Sequence, residues 1–431
     1  MAAFPQLRER REYGKLVLMN AKLSIVSAIC LGLSLVAAGA DFLRTNGRDI
    51  VNSKGEKFVI RGTNLGNWLN PEGYMFGFGK CSSQHFIDEM FRQLVGPEET
   101  RKFWKAFKDN YITEADIAFV AATGSNTVRL PFNYKLFTDD DYMDNSGQGD
   151  GFKRIDDCVG WCRKHGLRLI LDMHDCPGGQ TGSNIDDSYG NAWLFESEEF
   201  QRQFCDIWRA IAKRYADEPV VFGYDLMNEP ISHELKDKDL YNSRLEAVQK
   251  AAVKAIREVD RNHIVILAGA QWNTNFDPFK DYTFDSNMMY QCHHYDFGNP
   301  KLEESKVRRY AEFGEKSGRP MYMGEWGHNK PVWYRDMVAA MAKYDIGWTM
   351  WPLKKPVDGC WFNFPYPEGW KETVVAFAEA DRSSYHKIYA ARPDRALALR
   401  LMREFVENCK AAHCTADRDY LEACGMKVPQ P

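Results

Sequence analysis

Between residues 58 and 351, short apolar runs alternate with longer amphipathic segments, and this alternation limits the possible fold more than any other feature. The apolar runs cover 58–62, 125–131, 167–172, 220–226, 263–268, 287–292, 320–324 and 347–351. They are rich in β-branched and aromatic residues, as buried strands are. Apolar residues recur at helical spacing over 113–122, 152–165, 197–215, 240–259, 302–316 and 332–343. Gly166 stands where a helix C-terminal stop belongs. Thr113 stands as an N-cap, with Asp116 in place of the Glu or Gln that would complete a capping box. Strands joined through helices lie parallel, and eight such units close into a barrel. An open doubly wound sheet would carry a glycine-rich phosphate loop after its first strand, but the loop here reads Thr63-Asn64-Leu65-Gly66-Asn67-Trp68. The expected fold is therefore α/β, a (β/α)8 TIM barrel. It has an N-terminal hairpin at 42–57 turned by Asn46-Gly47, a long insertion at 74–112 after strand one with a helix at 98–109, and a helical tail at 380–431.

Arg8, Arg10, Arg11 and Lys15 precede an uncharged apolar run at 23–40 that ends Ala38-Gly39-Ala40. That is the pattern of a secretory signal peptide cleaved before Asp41. Met19, just before Lys22, is a second possible start, and an uncleaved membrane anchor is the other reading of the run. Residues 1–40 are read as the signal peptide and 41–431 as one domain, tail included. The protein is expected to be exported (secreted, periplasmic or at the cell surface), without stable membrane insertion after cleavage, and monomeric. Export permits disulfides, and Cys409, Cys414 and Cys424 are near enough in sequence for one pair. There is no Cys-x-x-Cys pair and no paired histidine spacing typical of zinc, so neither a metal nor an organic cofactor is expected. Lys and Arg number 56 against 60 Asp and Glu, with no basic stretch in the body of the chain, which argues against nucleic acid as a partner.

In a parallel barrel the C-terminal ends of all strands open on one rim, where the chemistry gathers. Strand four reads Val220 to Leu226 and then breaks at Asn228-Glu229-Pro230, because Pro230 cannot donate to a sheet ladder. Glu229 there is either a reacting group or part of a helix start capped by Asn228. The other strands bear on that choice. Strand one leads to Asn64, Asn67, Trp68 and Glu72, strand two ends in Val128-Arg129-Leu130-Pro131, and strand three in Asp172-Met173-His174-Asp175. Strand five leads into Gln271-Trp272-Asn273, strand six into His293-His294-Tyr295, and strand seven into Gly324-Glu325. Strand eight ends in Trp348 and Trp351, followed by Lys354 and Lys355.

Taken singly, Arg129 could bridge barrel carboxylates, His174 could be a core histidine, Glu325 could cap a helix and Trp351 could be packing. Gathered at one rim, they suit glycoside hydrolysis. That reaction needs a carboxylic acid to protonate the leaving oxygen and a second carboxylate to attack or support the anomeric carbon. Strands four and seven face each other across an eight-stranded barrel, so Glu229 and Glu325 can flank one bond. Nearby cations would keep one carboxylate ionised, and burial or mutual repulsion would keep the other protonated. Spacing alone does not say which glutamate gives the proton.

These stretches resemble glycoside hydrolase family 5, part of the large clan of retaining (β/α)8 glycosidases. The resemblance is carried by Arg61-Gly62-Thr63-Asn64-Leu65-Gly66-Asn67-Trp68, Val128-Arg129-Leu130-Pro131, Leu171-Asp172-Met173-His174, Asn228-Glu229-Pro230, His293-His294-Tyr295, Gly324-Glu325 and Gly347-Trp348-Thr349-Met350-Trp351. It implies that Glu229 is the general acid/base and Glu325 the nucleophile. It further implies that Asn228 binds the sugar 2-hydroxyl, Arg129 orients the nucleophile, and His174 binds hydroxyls of the reacting sugar. His293 would support the acid/base, Tyr295 would hydrogen-bond the nucleophile, and Trp351 would be the platform below the sugar. Glu72 and Trp272 complete the candidate substrate contacts. The Asn-Leu-Gly-Asn-Trp stretch with Glu72, and residues 174–182, resemble the fungal exo-β-1,3-glucanase branch. The implied activity is that of a retaining β-glycosidase hydrolysing a β-glucan-type polysaccharide or oligosaccharide through a glycosyl-enzyme intermediate. A β-1,4-glucanase, a β-mannanase, a glycosylceramide-type hydrolase, a transglycosylase and a non-catalytic carbohydrate-binding protein remain open alternatives on this scaffold.

Overall fold

Eight parallel strands close into a barrel in the computed structural model, which describes residues 41–145, 149–183, 185–357 and 359–429. The expected signal peptide lies outside the described residues. In chain order the strands are Arg61–Asn64, Thr127–Asn133, Arg168–Asp175, Val221–Asp225, Ile264–Ala268, Met288–His294, Met321–Trp326 and Gly347–Met350. Each pairs with its sequence neighbour, and Trp348 opposite Arg61 joins strand eight to strand one. Helices Glu114–Ala122, Gly149–His165, Glu198–Tyr215, Lys238–Arg257, Glu304–Ser317 and Pro331–Lys343 connect strands around the outside.

These helices form for local reasons. Ser197 accepts a hydrogen bond from Phe200 N–H at the start of Glu198–Tyr215. That helix buries Phe204, Ile207, Trp208, Ile211 and Tyr215, a stripe at helical spacing. Each such burial contributes roughly 1.5–3 kcal/mol against exposure. Trp208 Nε1 donates to Leu226 O at 3.0 Å, tying this stripe to the end of strand four.

The hairpin expected near the N-terminus is present, with Arg44–Asn46 antiparallel to Asp49–Val51. Its Leu43 and Ile50 pack with Ile60, Ile170, Phe222, Ile264 and Ile266 in an apolar plug of the barrel. This explains why strand one starts later than the 58–62 expected. Phe58 N–H donates to Ile50 O, so the first part of that apolar run serves the plug and the ladder begins at Arg61.

Several other expectations are corrected. Strand six runs past its apolar core, so His293 and His294 lie within it, as His174 and Asp175 lie within strand three. The insertion after strand one holds a helix at Gln84–Val95 as well as Pro97–Asn110. Ile87, Met90, Phe91 and Leu94 are its buried face, a periodicity visible in the sequence. Asp116 does complete the capping box, since the Thr113 backbone N–H donates to Asp116 Oδ2 at 2.8 Å. The tail is mainly helical, with Tyr385–Ala391, Arg395–Asn408 and Arg418–Ala423, but it also supplies a strand. Thr415–Ala416 pairs antiparallel with Phe362–Phe364, which pairs in parallel with Lys354–Pro356. All ten described cysteines are free thiols. Cys409 and Cys414 point their Sγ atoms at backbone carbonyls, not at one another.

Candidate active site

The rim at the C-terminal ends of the strands opens into a cavity of about 780 Å³. Glu72, His174, Glu229, Trp272, His293, Tyr295, Glu325 and Trp351 line it, together with Tyr74, Ile185, Phe297 and His328. The side chains given catalytic or substrate roles from the sequence converge here, with Arg129 and Asn228 beneath them. Lys354 does not join them. It is fully buried, pairs with Asp116 at 2.6 Å and donates to Cys409 O at 2.8 Å.

Arg129 organises the floor. An isolated guanidinium could not be buried in strand two, so its five N–H groups must all be matched. Nε donates to Asp225 Oδ2 at 2.8 Å, Nη1 to Glu325 Oε1 at 2.7 Å and Asn64 Oδ1 at 3.0 Å, and Nη2 to Asn228 Oδ1 at 2.9 Å. Asp172 Oδ1 lies 3.1 Å from Nη2. Burial works against the charge of Arg129, but the carboxylates of Asp172, Asp225 and Glu325 outweigh it and hold the group firmly protonated. Arg129 is thus both a bridge among barrel carboxylates and a direct partner of Glu325.

Glu325, at the end of strand seven, receives a second hydrogen bond from Tyr295 Oη to its Oε2 at 2.9 Å. Glu229 follows strand four with its backbone in the left-handed region at φ 45°. L-residues avoid that conformation, at a cost of roughly 1–2 kcal/mol. Thr181 Oγ1 donates to Glu229 O at 2.8 Å, and Ile231 N–H donates to Gln180 O at 2.9 Å, which holds the turn. Burial pushes the Glu229 carboxyl up to about 7, against the opposing pull of His174 and Arg129. The two glutamates therefore sit in different surroundings, Glu325 held by a guanidinium and a phenol, Glu229 facing the His293 ring.

An oxygen of each glutamate and a ring nitrogen of His293 lie within 4.8 Å of one another. Three such donors could face a cation, but His293 has Nδ1 2.8 Å from Glu229 Oε1 and Nε2 3.1 Å from Gln291 Oε1, so both ring nitrogens are taken. Burial lowers the imidazole of His293 to about 3 and that of His174 to about 4, so both rings are neutral at ordinary pH. His174 Nδ1 lies 2.7 Å from Asp172 Oδ2, and its Nε2 lies 3.2 Å from Asn228 Nδ2. With the amide donating to Nε2, Nδ1–H donates to Asp172. The Trp351 ring lies parallel to His174, with 4° between planes and 5.3 Å between centroids. Trp351 Nε1 donates to Tyr74 Oη at 2.7 Å, so the strand-eight tryptophan is fixed from the insertion. Glu72 is buried, and burial followed by the nearby Glu325 and Glu229 raises its carboxyl well above the usual range. Trp272 reaches the cavity from a turn in which Gln271, Trp272 and Asn273 all have positive φ.

Asn64 and Asp172, named at strand ends without a role, belong to this site, and so do Asp225 and Gln291, which were not singled out from the sequence. Asp225 and Gln291 carried a signal all the same, being polar side chains inside apolar strand runs, which must find buried partners. Nothing in the sequence marks Tyr74, Ile185, Phe297 or His328, which loops bring to the mouth.

A buried pair of glutamates over an arginine, at the open end of an eight-stranded α/β barrel, belongs to the class of enzymes that cleave glycosidic bonds. Residues 89–356 match the model of the family described as Cellulase (glycosyl hydrolase family 5). The chain belongs to that family and is a glycoside hydrolase. It is 34% identical over 274 residues to a β-xylosidase of Phanerodontia chrysosporium, covering 63% of this chain and 56% of that protein, so it spans little more than half of that relative's length. It is 29% identical over 331 residues to a probable glucan 1,3-β-glucosidase A of Aspergillus clavatus, covering 72% of this chain and 74% of that protein. Among solved structures, an endogalactoceramidase superposes with a TM-score of 0.55 at 21% identity, covering 72% of this chain and 74% of that one. At that identity the likeness is one of fold. Among the described residues no helix is long and apolar enough to cross a membrane.

Proposed function

We propose that the protein is a retaining β-glycosidase acting on a β-glucan-type glycan, with Glu229 as general acid/base and Glu325 as nucleophile. The observation that carries this reading is the closeness of the two glutamates, whose oxygens come within 4.8 Å, in unlike environments. Retaining enzymes hold the two carboxyl groups about 5–5.5 Å apart, whereas inverting ones leave room for a water between them at about 6.5–9.5 Å.

In the first step Glu325 attacks the anomeric carbon, and the bond to the leaving oxygen breaks as Glu229 gives that oxygen its proton. Arg129 and Tyr295 hold Glu325 in place by their bonds to its two oxygens. In the second step Glu229, now a carboxylate, takes a proton from water, the water oxygen attacks the anomeric carbon, and the ester to Glu325 breaks. A group whose acid form survives to about pH 7 suits both halves of this cycle. Trp351 supplies a flat apolar face for the sugar ring, and Asn228, Glu72 and Trp272 contact its hydroxyls or the neighbouring residue. The β-glucan choice follows the 1,3-β-glucosidase relative together with the family's cellulase description. Residues 1–40 are proposed as a cleaved signal, giving an exported enzyme that works as a monomer.

The test is a screen of β-1,3-, β-1,4- and mixed-linkage glucans, mannan, glycolipids and aryl glycosides, with the anomer of the first product read by proton NMR. A β-anomer formed first is expected. An α-anomer, or turnover unchanged in both Glu229→Gln and Glu325→Gln, would sink the reading.

A further inference from the structure

Strand six brings one more side chain to the acid/base, from a position that faces the barrel interior. Gln291 is fully buried. Its Nε2 donates to Asp225 Oδ1 and, at 3.3 Å, to Met227 O, and its Oε1 lies 3.1 Å from His293 Nε2. Asp225 is itself held by Arg129 Nε at 2.8 Å. A continuous chain therefore runs Glu325, Arg129, Asp225, Gln291, His293, Glu229.

We propose that Gln291 is a positioning residue for Glu229: with its amide nitrogen committed to Asp225 and Met227, its oxygen accepts from His293 Nε2–H, which leaves Nδ1 as an acceptor facing Glu229 Oε1 and puts the shared proton on the glutamate. A neutral imidazole carries one hydrogen, so fixing it on one nitrogen fixes the other as a lone pair. A carboxylate facing that lone pair is disfavoured and a carboxylic acid is favoured. The acid form is what Glu229 needs before the first step, and the same bias makes its carboxylate the better base in the second. The directions of titration agree, with Glu229 raised and His293 lowered, in both cases first by burial. The other charged or titratable groups facing this pair are His174, Arg129, Glu325, Glu72, Tyr295 and Asp172.

Gly324, just before Glu325, has the backbone consequence. A Cβ built there would fall 2.4 Å from Gln291 Oε1 and 2.9 Å from His293 Nε2. The hydrogen bond between those two atoms occupies the space of a side chain, so any larger residue at 324 would break it.

This inference rests on Glu229 being the acid/base, and the experiments separate the two. The first is 15N NMR of the wild-type protein labelled at histidine, with His293 assigned by its loss in His293→Phe. At pH 6 the expected pattern is a hydrogen on Nε2 and none on Nδ1. A hydrogen on Nδ1, alone or together with Nε2–H, overturns the proposal whether or not a substrate is known. The second is the pH profile of kcat/KM. Gln291→Leu frees the ring to turn its hydrogen toward Glu229, which stabilises the carboxylate and moves the alkaline limb down by roughly one pH unit. Thr349→Val removes buried hydrogen bonds to Gly324 O and Tyr322 in the same layer without touching His293, and should leave the limb in place. An unmoved limb in Gln291→Leu, or an equal shift in Thr349→Val, would refute the positioning role while leaving the acid/base assignment intact. Failure of that assignment would show separately, as an alkaline limb that persists in Glu229→Gln.

Discussion

Arg129 Nη1 sits 2.7 Å from Glu325 Oε1, and the two side chains are 0% and 5% exposed. The guanidinium is shared with Asp172 and Asp225, so one cation serves three buried acids, and burial raises the carboxyls of both aspartates above the usual range. Arg129→Met would strand those acids. Breaking a buried charge network in this way costs about 3–5 kcal/mol. Arg129→Lys should rescue little, because one ammonium cannot reach four acceptors arranged around a planar fork. Urea denaturation of both variants is the measurement, and a loss under about 1 kcal/mol in Arg129→Met would contradict the network's importance.

Stability should depend on pH through Glu229. Its folded carboxyl titrates at about 7 against a usual value of 4.5, so between those limits the folded state binds the proton more tightly than the unfolded chain does. Its contribution is full below about pH 4.5 and is lost as pH rises through 7, about 3 kcal/mol in all. His174 and His293 act in the opposite sense. Lowered to about 4 and about 3 from 6.5, they take up protons more readily when unfolded, so their contribution is lost as pH falls below 6.5. Because the histidine and glutamate windows overlap, the check is the difference between the two proteins: from pH 4.5 to 7 Glu229→Gln should gain about 3 kcal/mol relative to wild type while keeping the acid-side loss. Chemical denaturation across pH 4 to 8 would show whether the two slopes separate.

Activity should follow the same group. If Glu229 gives the proton, kcat/KM falls above about pH 7 for substrates with poor leaving groups. In Glu229→Gln an aryl glycoside with a very acidic phenol should keep far more of its turnover than an alkyl glycoside, since it needs no acid to depart. Equal losses on both would speak against the assignment.

The ion pair of Lys354 with Asp116 is 0% exposed on both sides, and Asp116 also closes the capping box of Glu114–Ala122. Asp116→Leu alone should cost about 3–5 kcal/mol, because it leaves a buried ammonium with a carbonyl and the Tyr111 and Phe362 rings beside it but without its carboxylate partner. Adding Lys354→Met should recover more than half of that loss. Thermal melts of the single and double variants test the coupling, and additive losses would refute it.

Phe297 stands at the cavity mouth, 73% exposed, with its ring 5.3 Å from Tyr295. So exposed a residue adds little to folding, and Phe297→Ala should leave Tm within a few degrees. It should raise KM severalfold for glycans or glycosides long enough to reach the mouth, with kcat on the shortest substrates nearly unchanged. Steady-state kinetics on an oligosaccharide series decides this.

The barrel was legible because its period is written in burial: eight apolar runs had to be strands, and helices between them made the strands parallel. Glu229, Glu325, Arg129, His174 and His293 were legible for the converse reason, as charges and imidazoles at the ends of runs where nothing polar should be. The limits of that rule also show. Residues 58–60 were read as sheet because an apolar plug and a ladder have the same composition. Lys354 follows strand eight in the sequence, but that position does not reveal that Asp116 and the end of a tail helix close over it. Asp225 and Gln291 were visible as polar breaks in apolar runs, but their roles depend on which way each side chain turns. Tyr74, Ile185 and Phe297 come from loops, whose course is set by tertiary contact.

Lys354–Pro356 leaves the barrel four residues after strand eight, and it is completed by Thr415–Ala416, some sixty positions further on. Lys427 N–H then donates to Thr123 O, fastening the tail to the helix that precedes strand two. This corner is therefore a seam sewn by distant parts of the chain. Loop closure over such separations is slow, so this corner should be the last to set as the protein folds and the first to gape when it is heated. A protease or an engineered cut in the tail would loosen this corner without touching a single barrel strand.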